Sequence, residues 1–171
     1  MAATAVVVLG RDGEQGASDE DRAARRGPPS VVLFRSPRLG VVGARPRNWH
    51  LGRLRSAIRL RSPDRSSLVA IAAAPPRITP RRLLSSTLQA LDRSYTRVRI
   101  SRSRSALVGN LRGRALRAFG VNSRGVRLDV LVATAKGRRR TYLLQVFTSR
   151  GAPRRRVAQG QTIVTSLELR G

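Results

Sequence analysis

The chain has 171 residues, which is enough for one domain of ordinary size and too few for two full ones. Its 35 Lys and Arg residues against nine Asp and Glu give a formal net charge of +26, and Lys136 is the only lysine. The absence of cysteine excludes disulfides, thiolate metal sites and cysteine nucleophiles, and a single histidine excludes multi-histidine sites. Hydrophobic residues make up 40% of the chain, which argues against wholesale disorder.

The charge is divided unevenly along the chain. Residues 1–21 hold five acids and one base, whereas residues 22–171 hold 34 bases and four acids. From Gly10 to Pro29 the sequence is mainly Gly, Ala, acidic residues and Arg, without apolar periodicity. We therefore predict a disordered leader over residues 1–29, followed by one domain over residues 30–171. The acidic leader has two interpretations, a solvated tail and a segment that folds back on the basic body.

No targeting signal is evident at the start of the sequence. The apolar run Ala2–Leu9 has no basic residues before it and is short for a secretory signal, and a lipoprotein signal would need a cysteine. No apolar run approaches the roughly 20 residues that a membrane helix requires. As written, the sequence predicts a cytoplasmic protein without a membrane span, and a true start further upstream would place it in the cell envelope or outside the cell.

The first part of the body predicts short strands. Val31–Arg35 is strand-like, a Ser-Pro turn follows, and Val41–Ala44 continues in extended conformation. Ala57–Arg61 alternates apolar and polar residues, as a half-buried strand does. Ser62–Arg65 has Pro and Asp at the central positions of a type I turn, and Ser67–Ala73 returns as a more apolar strand. These segments predict a hairpin.

The period then changes to that of a helix. Thr79 is an N-cap residue, and Pro80 follows at the first helical position, where its missing N–H costs nothing. Leucines at i, i+4 and i+7 from Leu84 form one apolar stripe. The sequence therefore predicts a helix over about Pro80–Asp92.

The second half predicts an antiparallel meander and a closing helix. Strand-like stretches cover Tyr95–Ser101, Ala106–Phe119, Val126–Ala135 and Arg140–Ser149. We expect the second of these to break or bulge near Gly109 and Gly113. Pro153 opens a short helix, and Leu167–Leu169 closes the chain. One helix between two antiparallel runs and another at the C-terminus predict an α+β fold, an antiparallel sheet flanked by helices.

Six segments occur in an order that resembles a known family. FRSPRLGVVGARPRNW at Phe34–Trp49 closes with P-x-x-W, and IRLRSPDRSSLVAI at Ile58–Ile71 follows. Next come the helix after Thr79, a glycine-bearing strand, the hairpin VRLDVLVAT…RTYLLQVFTS, and SLEL at Ser166–Leu169. This series is similar to the PsbP/DcrB-like family, whose α-β-α fold is shared with a Ran-binding nuclear import factor. The resemblance covers most of the chain.

The resemblance implies a PsbP-like α-β-α sandwich that acts as a non-catalytic binding module and needs no cofactor. Members bind proteins or small ligands, and many bacterial relatives are envelope lipoproteins or secreted proteins. The near-absence of lysine is typical of a GC-rich genome, which favours an actinobacterial-type member. The partner implied is a protein or an acidic component of the cell envelope.

Catalytic motifs are absent from the sequence. It contains no G-x-G-x-x-G, Walker A, G-x-S-x-G or H-E-x-x-H string. His50 has no evident acid or nucleophile near it and is interpreted as a hairpin-end residue. Asp129 lies on a strand and is expected to pair with a neighbouring arginine. The other acids of the body are dispersed, so we predict that the protein is not an enzyme and holds no metal.

The arginines are the main candidates for a binding site. If the clusters share a face, their summed field would attract an anionic partner. Trp49, the only tryptophan, has two interpretations: a partner anchor, because Trp is enriched at interface hot spots, and a core aromatic. The candidate anionic-partner patch comprises Arg97, Arg99, Arg102, Arg104, Arg112, Arg114, Arg138, Arg139, Arg140, Arg154, Arg155 and Arg156.

Two functions remain open on the sequence. The first is a binding module for a protein or an acidic envelope component. The second is an arginine-rich nucleic-acid-binding protein that contacts phosphates without reading sequence. Only six aromatic residues occur, mostly at apolar strand positions, which argues against a base-stacking platform.

Overall fold

Antiparallel strands dominate the computed structural model, which describes residues 30–170; the predicted leader over residues 1–29 lies outside the described residues. The strands are β1 (Val31–Ser36), β2 (Val41–Pro46), β3 (His50–Arg53), β4 (Ala57–Arg61), β5 (Ser67–Ala74), β6 (Thr96–Ile100), β7 (Arg104–Val108), β8 (Leu111–Val121), β9 (Arg127–Lys136), β10 (Thr141–Ser149) and β11 (Glu168–Leu169). The helices are α1 (Pro80–Ser94), between β5 and β6, and α2 (Arg154–Thr165), between β10 and β11.

The strands form two antiparallel sheets. The main sheet has the order β3-β4-β5-β10-β9-β8-β6, and β7 also pairs with β8. The small sheet has the order β1-β2-β11. Helix α1 packs on β9 and β10, whereas α2 packs on β2 and β5. The predicted α+β class, an antiparallel sheet flanked by helices, is confirmed.

The hairpin predicted around Ser62 is formed by β4 and β5. The backbone N–H of Arg65 donates to the carbonyl oxygen of Ser62 at 3.0 Å, which closes the turn. Asp64 holds this turn further, because its Oδ1 accepts from the hydroxyl of Ser62 at 2.6 Å and from the backbone of Ser66 at 3.2 Å. Strand β3 was not predicted, since its four residues include Gly52 and show no alternation.

Helix α1 begins where the sequence predicts and ends two residues later. The hydroxyl oxygen of Thr79 accepts from the backbone N–H of Arg82 at 3.2 Å, which caps the first turn. The buried face of α1 carries Leu83, Thr87 and Leu91. The predicted stripe is therefore rotated slightly, and its other leucines are half-buried at the edge of the contact.

The strand predicted over Ala106–Phe119 is two strands. The chain turns back between β7 and β8 at Gly109, whose φ is +60° and whose Cβ position is occupied by the carbonyl oxygen of Leu167. Gly113 does not break the chain, because it pairs with Ala135 inside β8. The break was predicted correctly at Gly109, and its consequence, a tight hairpin, was missed.

Each face of the main sheet has its own hydrophobic core. The core beneath α1 includes Leu68, Leu91, Leu128, Val132 and Phe147. The core between the main sheet, α2 and the small sheet includes Phe34, Trp49, Leu60, Leu144 and Ile163. Residues on either side of the sheet alternate along β9, as an antiparallel strand buried on two faces requires. The face of the sheet toward α2 carries the candidate site.

Candidate functional site

A row of side chains crosses the main sheet on the face toward α2. Arg99 of β6 lies opposite Phe119 of β8, Phe119 lies opposite Asp129 of β9, and Asp129 lies opposite Thr148 of β10. Directly paired residues of neighbouring strands point to the same face. Val146, two residues from Thr148, packs against the core on the α2 side, which fixes the face of the whole row.

Helix α2 leaves part of this face open. Val157, Gly160, Gln161 and Val164 follow helical spacing along one side of α2 and line a cavity of about 310 Å³. The floor and wall of the cavity are largely apolar, and Phe119 opposite the helix is 40% exposed. An apolar cleft therefore runs between α2 and the long strands.

A second cavity of about 590 Å³ continues from the first. Phe119, Asp129 and Arg150 line both cavities, so the two form one groove. Arg117 lines the first cavity only. We call this surface the arginine groove, and it comprises Arg97, Arg99, Arg117, Arg127 and Arg150 around Phe119 and Asp129.

A β-bulge shapes one wall of the groove. The pairing between β6 and β8 shifts register between Thr96 and Arg99, and Arg97 within this segment has a φ of +54°. A positive φ is costly for a residue with a side chain, and bulges redirect the side chains that they carry. The strained residue lines the second cavity, so the irregularity lies at the groove.

The groove has a net positive charge, because five arginines and only one carboxylate line it. All five arginines are exposed, and Asp129 is half-buried. Asp129 forms no ion pair with any residue between 30 and 170, so the predicted pairing with an arginine is wrong. The reason is the register, which places Phe119 and Thr148 rather than arginines directly beside it. Five guanidinium groups around one carboxylate make the groove attractive to anions.

Only two of the predicted patch arginines lie in the groove, Arg97 and Arg99. Arg112 and Arg114 alternate with Arg117 along β8 and therefore point to the opposite face of the sheet. Arg114 also donates to the hydroxyl and carbonyl oxygens of Ser103, both at 3.1 Å.

The remaining predicted arginines are spread over other edges of the fold. Arg104 lies opposite Ala115, four residues before Phe119 near the middle of β8, and lines neither cavity of the groove. Arg138, Arg139 and Arg140 lie in the turn between β9 and β10, and Arg102 lies between β6 and β7. Arg154 and Arg155 are exposed in the first turn of α2. The predicted arginines therefore do not form one continuous patch.

The prediction that Arg156 belongs to the anionic-partner patch is wrong, because its side chain is buried. Its Nε donates to Oδ2 of Asp64 at 3.0 Å, and its Nη1 donates to Oε1 of Gln159 at 2.9 Å. Its side chain is 10% exposed. This guanidinium joins α2 to the turn between β4 and β5 and is not presented to a partner.

Trp49 is likewise a correction, since a partner cannot reach it. It is 1% exposed and belongs to the core on the α2 side. Its indole N–H donates to Oε1 of Gln159 at 3.0 Å. The core interpretation of Trp49 is correct, and the partner-anchor interpretation is wrong because the ring is buried in this core.

The predicted patch did not include three of the groove arginines, Arg117, Arg127 and Arg150. Arg127 lies two residues before Asp129, as Arg117 lies two residues before Phe119, so both pairs share a face once the strands are known. That alternation is visible in the sequence. What joins the two pairs is the register between β8 and β9, which the sequence does not reveal.

Neither a cluster of metal-ligating side chains nor a membrane-crossing helix occurs in the part of the chain that the structure describes. Within residues 30–170 no three potential metal-ligating side chains gather. Neither α1 nor α2 has the length and hydropathy of a membrane-crossing helix, within the range that the structure describes.

The arrangement of strands and helices is a PsbP-like fold. Cyanobacterial PsbP from Synechocystis sp. PCC 6803 superposes with a TM-score of 0.62 at 11% identity, over 84% of this chain and 94% of that one. The Saccharomyces cerevisiae Ran-binding protein Mog1p gives 0.54 at 6% identity, over 83% and 96%. LpqN, involved in cell envelope biogenesis of Mycobacterium tuberculosis, gives 0.50 at 15% identity, over 86% and 88%.

The sequence comparisons find no relatives. No known family profile and no curated protein matches the chain. The resemblance to a PsbP-like fold is therefore confirmed at the level of structure, and the actinobacterial-type origin stays a prediction.

Proposed function

We propose that the protein is a non-catalytic binding module whose arginine groove binds an acidic segment of a protein partner. One observation carries the proposal: five exposed arginines surround a half-exposed phenylalanine at the mouth of an apolar cleft. Arginine and aromatic side chains are the residues on which protein interfaces concentrate their binding energy. A peptide with acidic and apolar side chains would use both parts of the groove.

The proposal of a non-catalytic role rests on how the acids and the histidine are placed. The carboxylate of Asp64 accepts hydrogen bonds from the side chains of Arg156, Ser62 and Ser66. His50 is exposed on β3, an edge strand of the main sheet, opposite Arg61. Asp129 lies among arginines and beside no other titratable acid or histidine in the groove. General acid–base catalysis needs such groups within hydrogen-bond reach of one another or of a reacting atom.

The structural neighbours are consistent with a binding role. Mog1p is a Ran-binding protein, and LpqN is involved in cell envelope biogenesis. We propose for this chain a protein partner of its own, recognised by acidic charge. An acidic component of the cell envelope, the other partner that the sequence favours, is a competing outcome of the test.

A nucleic-acid-binding function is the second candidate. It is favoured by the spread of exposed arginines over both faces, including Arg112 and Arg114 opposite the groove. Phosphate contacts distributed in this way would give affinity without sequence preference and with a steep salt dependence. The groove exposes one aromatic ring, Phe119, so base stacking would contribute little.

The test compares two variants of equal charge. Arg99, Arg117 and Arg127 are replaced by Gln in the groove variant, and Arg81, Arg82 and Arg112, all exposed away from the groove, in the control variant. Binding of a fluorescent peptide of alternating Glu and Leu, of polyglutamate and of duplex DNA is measured by anisotropy at about 50 and 200 mM salt. We expect the groove variant to lose about 10- to 100-fold in affinity for the Glu-Leu peptide, against less than about 3-fold for the control.

Each other outcome contradicts the proposal. Equal losses in the two variants would mean that overall charge, not the groove, binds the peptide. Tighter binding of duplex DNA than of either peptide, with a similar loss in both variants, would favour the nucleic-acid function. If polyglutamate bound as tightly as the Glu-Leu peptide, the apolar cleft would make no contribution to recognition. The protein would then bind any polyanion of the envelope equally well.

A further inference from the structure

We propose that the chain's own acidic N-terminal segment occupies the arginine groove and competes with the partner. The inference rests on the proposed function for its biological meaning, but its geometry is independent of any partner. The occupant is the acidic segment of residues 1–21, and the surface is the arginine groove. Three observations support it: complementary charge, a short path from the start of the described chain, and an apolar run beside the acids.

The charges of the two parts are equal and opposite. Residues 1–21 hold five acids and one base, a net charge of −4. The groove holds five arginines and one aspartate, a net charge of +4. Tethering a segment near a complementary surface gives an effective concentration in the millimolar range, so weak contacts are enough to populate the bound state. The acids of the segment are Asp12, Glu14, Asp19, Glu20 and Asp21.

The described chain begins just across α2 from the groove. The carbonyl oxygen of Ser30 accepts from the backbone N–H of Arg47 at 2.9 Å, and Trp49, two residues further on, donates to Gln159 of α2. Gln159 and Gln161 lie on opposite sides of the helix, because two residues advance the helix by about 200°. Gln161 lines the groove. The path from Ser30 to the groove therefore runs past the side chains of Trp49 and Gln159 and then around one helix diameter of about 10 Å.

The segment is long enough for this path. Asp21 is nine residues before Ser30 and Asp12 is eighteen before it, so the chain between them and Ser30 can span up to about 30 and 60 Å. The reach from Ser30 to Asp12 exceeds the whole of this path. The apolar run Ala2–Leu9 precedes the acids, and the apolar part of the groove, with Val157 and Val164, adjoins its arginine part. The acids and the apolar run of the segment therefore each have a counterpart in adjoining parts of the groove.

The direct test uses a single spin label. The chain has no cysteine, so Ser18→Cys gives one labelling site in the full-length protein. We expect the label to broaden the backbone resonances of Phe119, Gly120 and Asp129 more than those of Leu83 and Thr87, which belong to α1 on the other face of the sheet. The contrast should vanish when the five acids are replaced by Asn or Gln. Equal broadening on both faces, or broadening that survives this neutralisation, would overturn the inference.

A competition measurement adds the functional consequence. The neutralised full-length chain should bind the Glu-Leu peptide about 3- to 10-fold more tightly than the unaltered chain at low salt, because the internal competitor is removed. Arg22→Gln, Arg25→Gln and Arg26→Gln together alter the same region without removing its acids and should not tighten binding. Equal affinity of the neutralised and unaltered chains would overturn the competition. If neither chain bound the peptide, the proposed function would fail, and the spin-label contrast would still decide whether the segment occupies the groove.

Discussion

The Nε of Arg156 donates to Oδ2 of Asp64 at 3.0 Å and so fastens α2 to the turn between β4 and β5. The same guanidinium reaches Gln159, whose Oε1 also accepts from the indole of Trp49. A turn, a helix and the core aromatic are thus joined through two side chains of α2. Because this network holds the helix that forms one wall of the arginine groove, it links the stability of the fold to the shape of the site.

Removing Arg156 should destabilise the fold. Arg156→Gln leaves the Asp64 carboxylate without its cation, and we expect a loss of about 2 kcal/mol in the free energy of unfolding. The expected loss is smaller than for a fully buried ion pair because the Asp64 side chain is 34% exposed. Urea unfolding measures it. Arg155→Gln, an exposed neighbour in the same turn of α2, is the control and should stay within about 0.5 kcal/mol of the unaltered chain. Equal effects of the two substitutions would contradict the assignment of Arg156 as a structural residue.

Asp64 should also make stability depend on pH. Burial raises the pKa of its carboxyl, but hydrogen bonds from Ser62, the Ser66 backbone and Arg156 outweigh burial and lower the pKa from 3.8 to about 2. Between these two values the unfolded chain binds the proton more readily than the folded one. The stabilisation is therefore fully present above about pH 4 and is lost as the pH falls toward 2.

The measurement is urea unfolding at about pH 6 and pH 3, on the unaltered chain and on Asp64→Asn. The difference in unfolding free energy between the two proteins should shrink on acidification. Asp92→Asn, at an exposed position on α1, controls for the loss of a carboxyl as such and should change the free energy of unfolding by less than about 0.5 kcal/mol. A difference that stays constant between the two pH values would show that Asp64 is not hydrogen-bonded in its charged form.

Substitutions of Trp49 and Phe119 should have different effects, the first mainly on stability and the second mainly on peptide binding. Trp49→Phe deletes the indole N–H that donates to Gln159 and opens a small cavity in the core, so we expect a loss of about 1–3 kcal/mol in stability with peptide affinity retained. Phe119→Ala removes a ring that is 40% exposed, so it should cost less stability and weaken binding of the Glu-Leu peptide by about 10-fold. Parallel unfolding and anisotropy measurements test the pair. The reverse pattern, with binding lost in Trp49→Phe alone, would restore Trp49 as a partner anchor.

The local elements of this fold could be predicted from the sequence because each depends on a few adjacent residues. Thr79 and Pro80 specify a helix start by capping chemistry and a fixed φ, and the structure begins α1 there. Ser62–Arg65 specifies a turn for similar reasons. The hairpin at Gly109 was only half predicted, because the need for glycine comes from the carbonyl of Leu167, far along the chain.

The candidate site could not be predicted as well, because it depends on the pairing register of the strands. Arg99, Phe119 and Asp129 become neighbours only when β6, β8 and β9 are aligned, and shifting one strand by a single residue would send its side chains to the other face. The arginines that the sequence grouped were neighbours along the chain. Alternation separates such neighbours, as it does Arg114 and Arg117, whereas pairing unites residues far apart.

The N-cap of α1 should contribute to stability and leave the groove unaffected. Thr79→Ala deletes the oxygen that accepts from the backbone N–H of Arg82, and we expect a loss of about 1 kcal/mol in the free energy of unfolding. Thr79→Ser keeps the acceptor and is the control, with a much smaller loss. Because α1 lies on the opposite face from the groove, peptide affinity should be the same in both variants. Equal destabilisation by Ala and Ser would mean that the methyl group of Thr79, not the cap, matters.

Arg97 should lower the stability of the fold through its positive φ and strengthen binding through its guanidinium group. Its φ of +54° is disfavoured for any residue with a Cβ, so Arg97→Gly should be more stable than Arg97→Ala by about 1 kcal/mol. Both substitutions remove a guanidinium from the groove and should weaken binding of the Glu-Leu peptide by several-fold. Arg65 provides the matched control, because its φ is +57° but it lies in the turn between β4 and β5, outside the groove. Arg65→Gly should also be more stable than Arg65→Ala and should bind the peptide like the unaltered chain. If the two glycine variants lost affinity equally, the bulge in β6 would have no special part in recognition, and the charge of the whole surface would explain the binding.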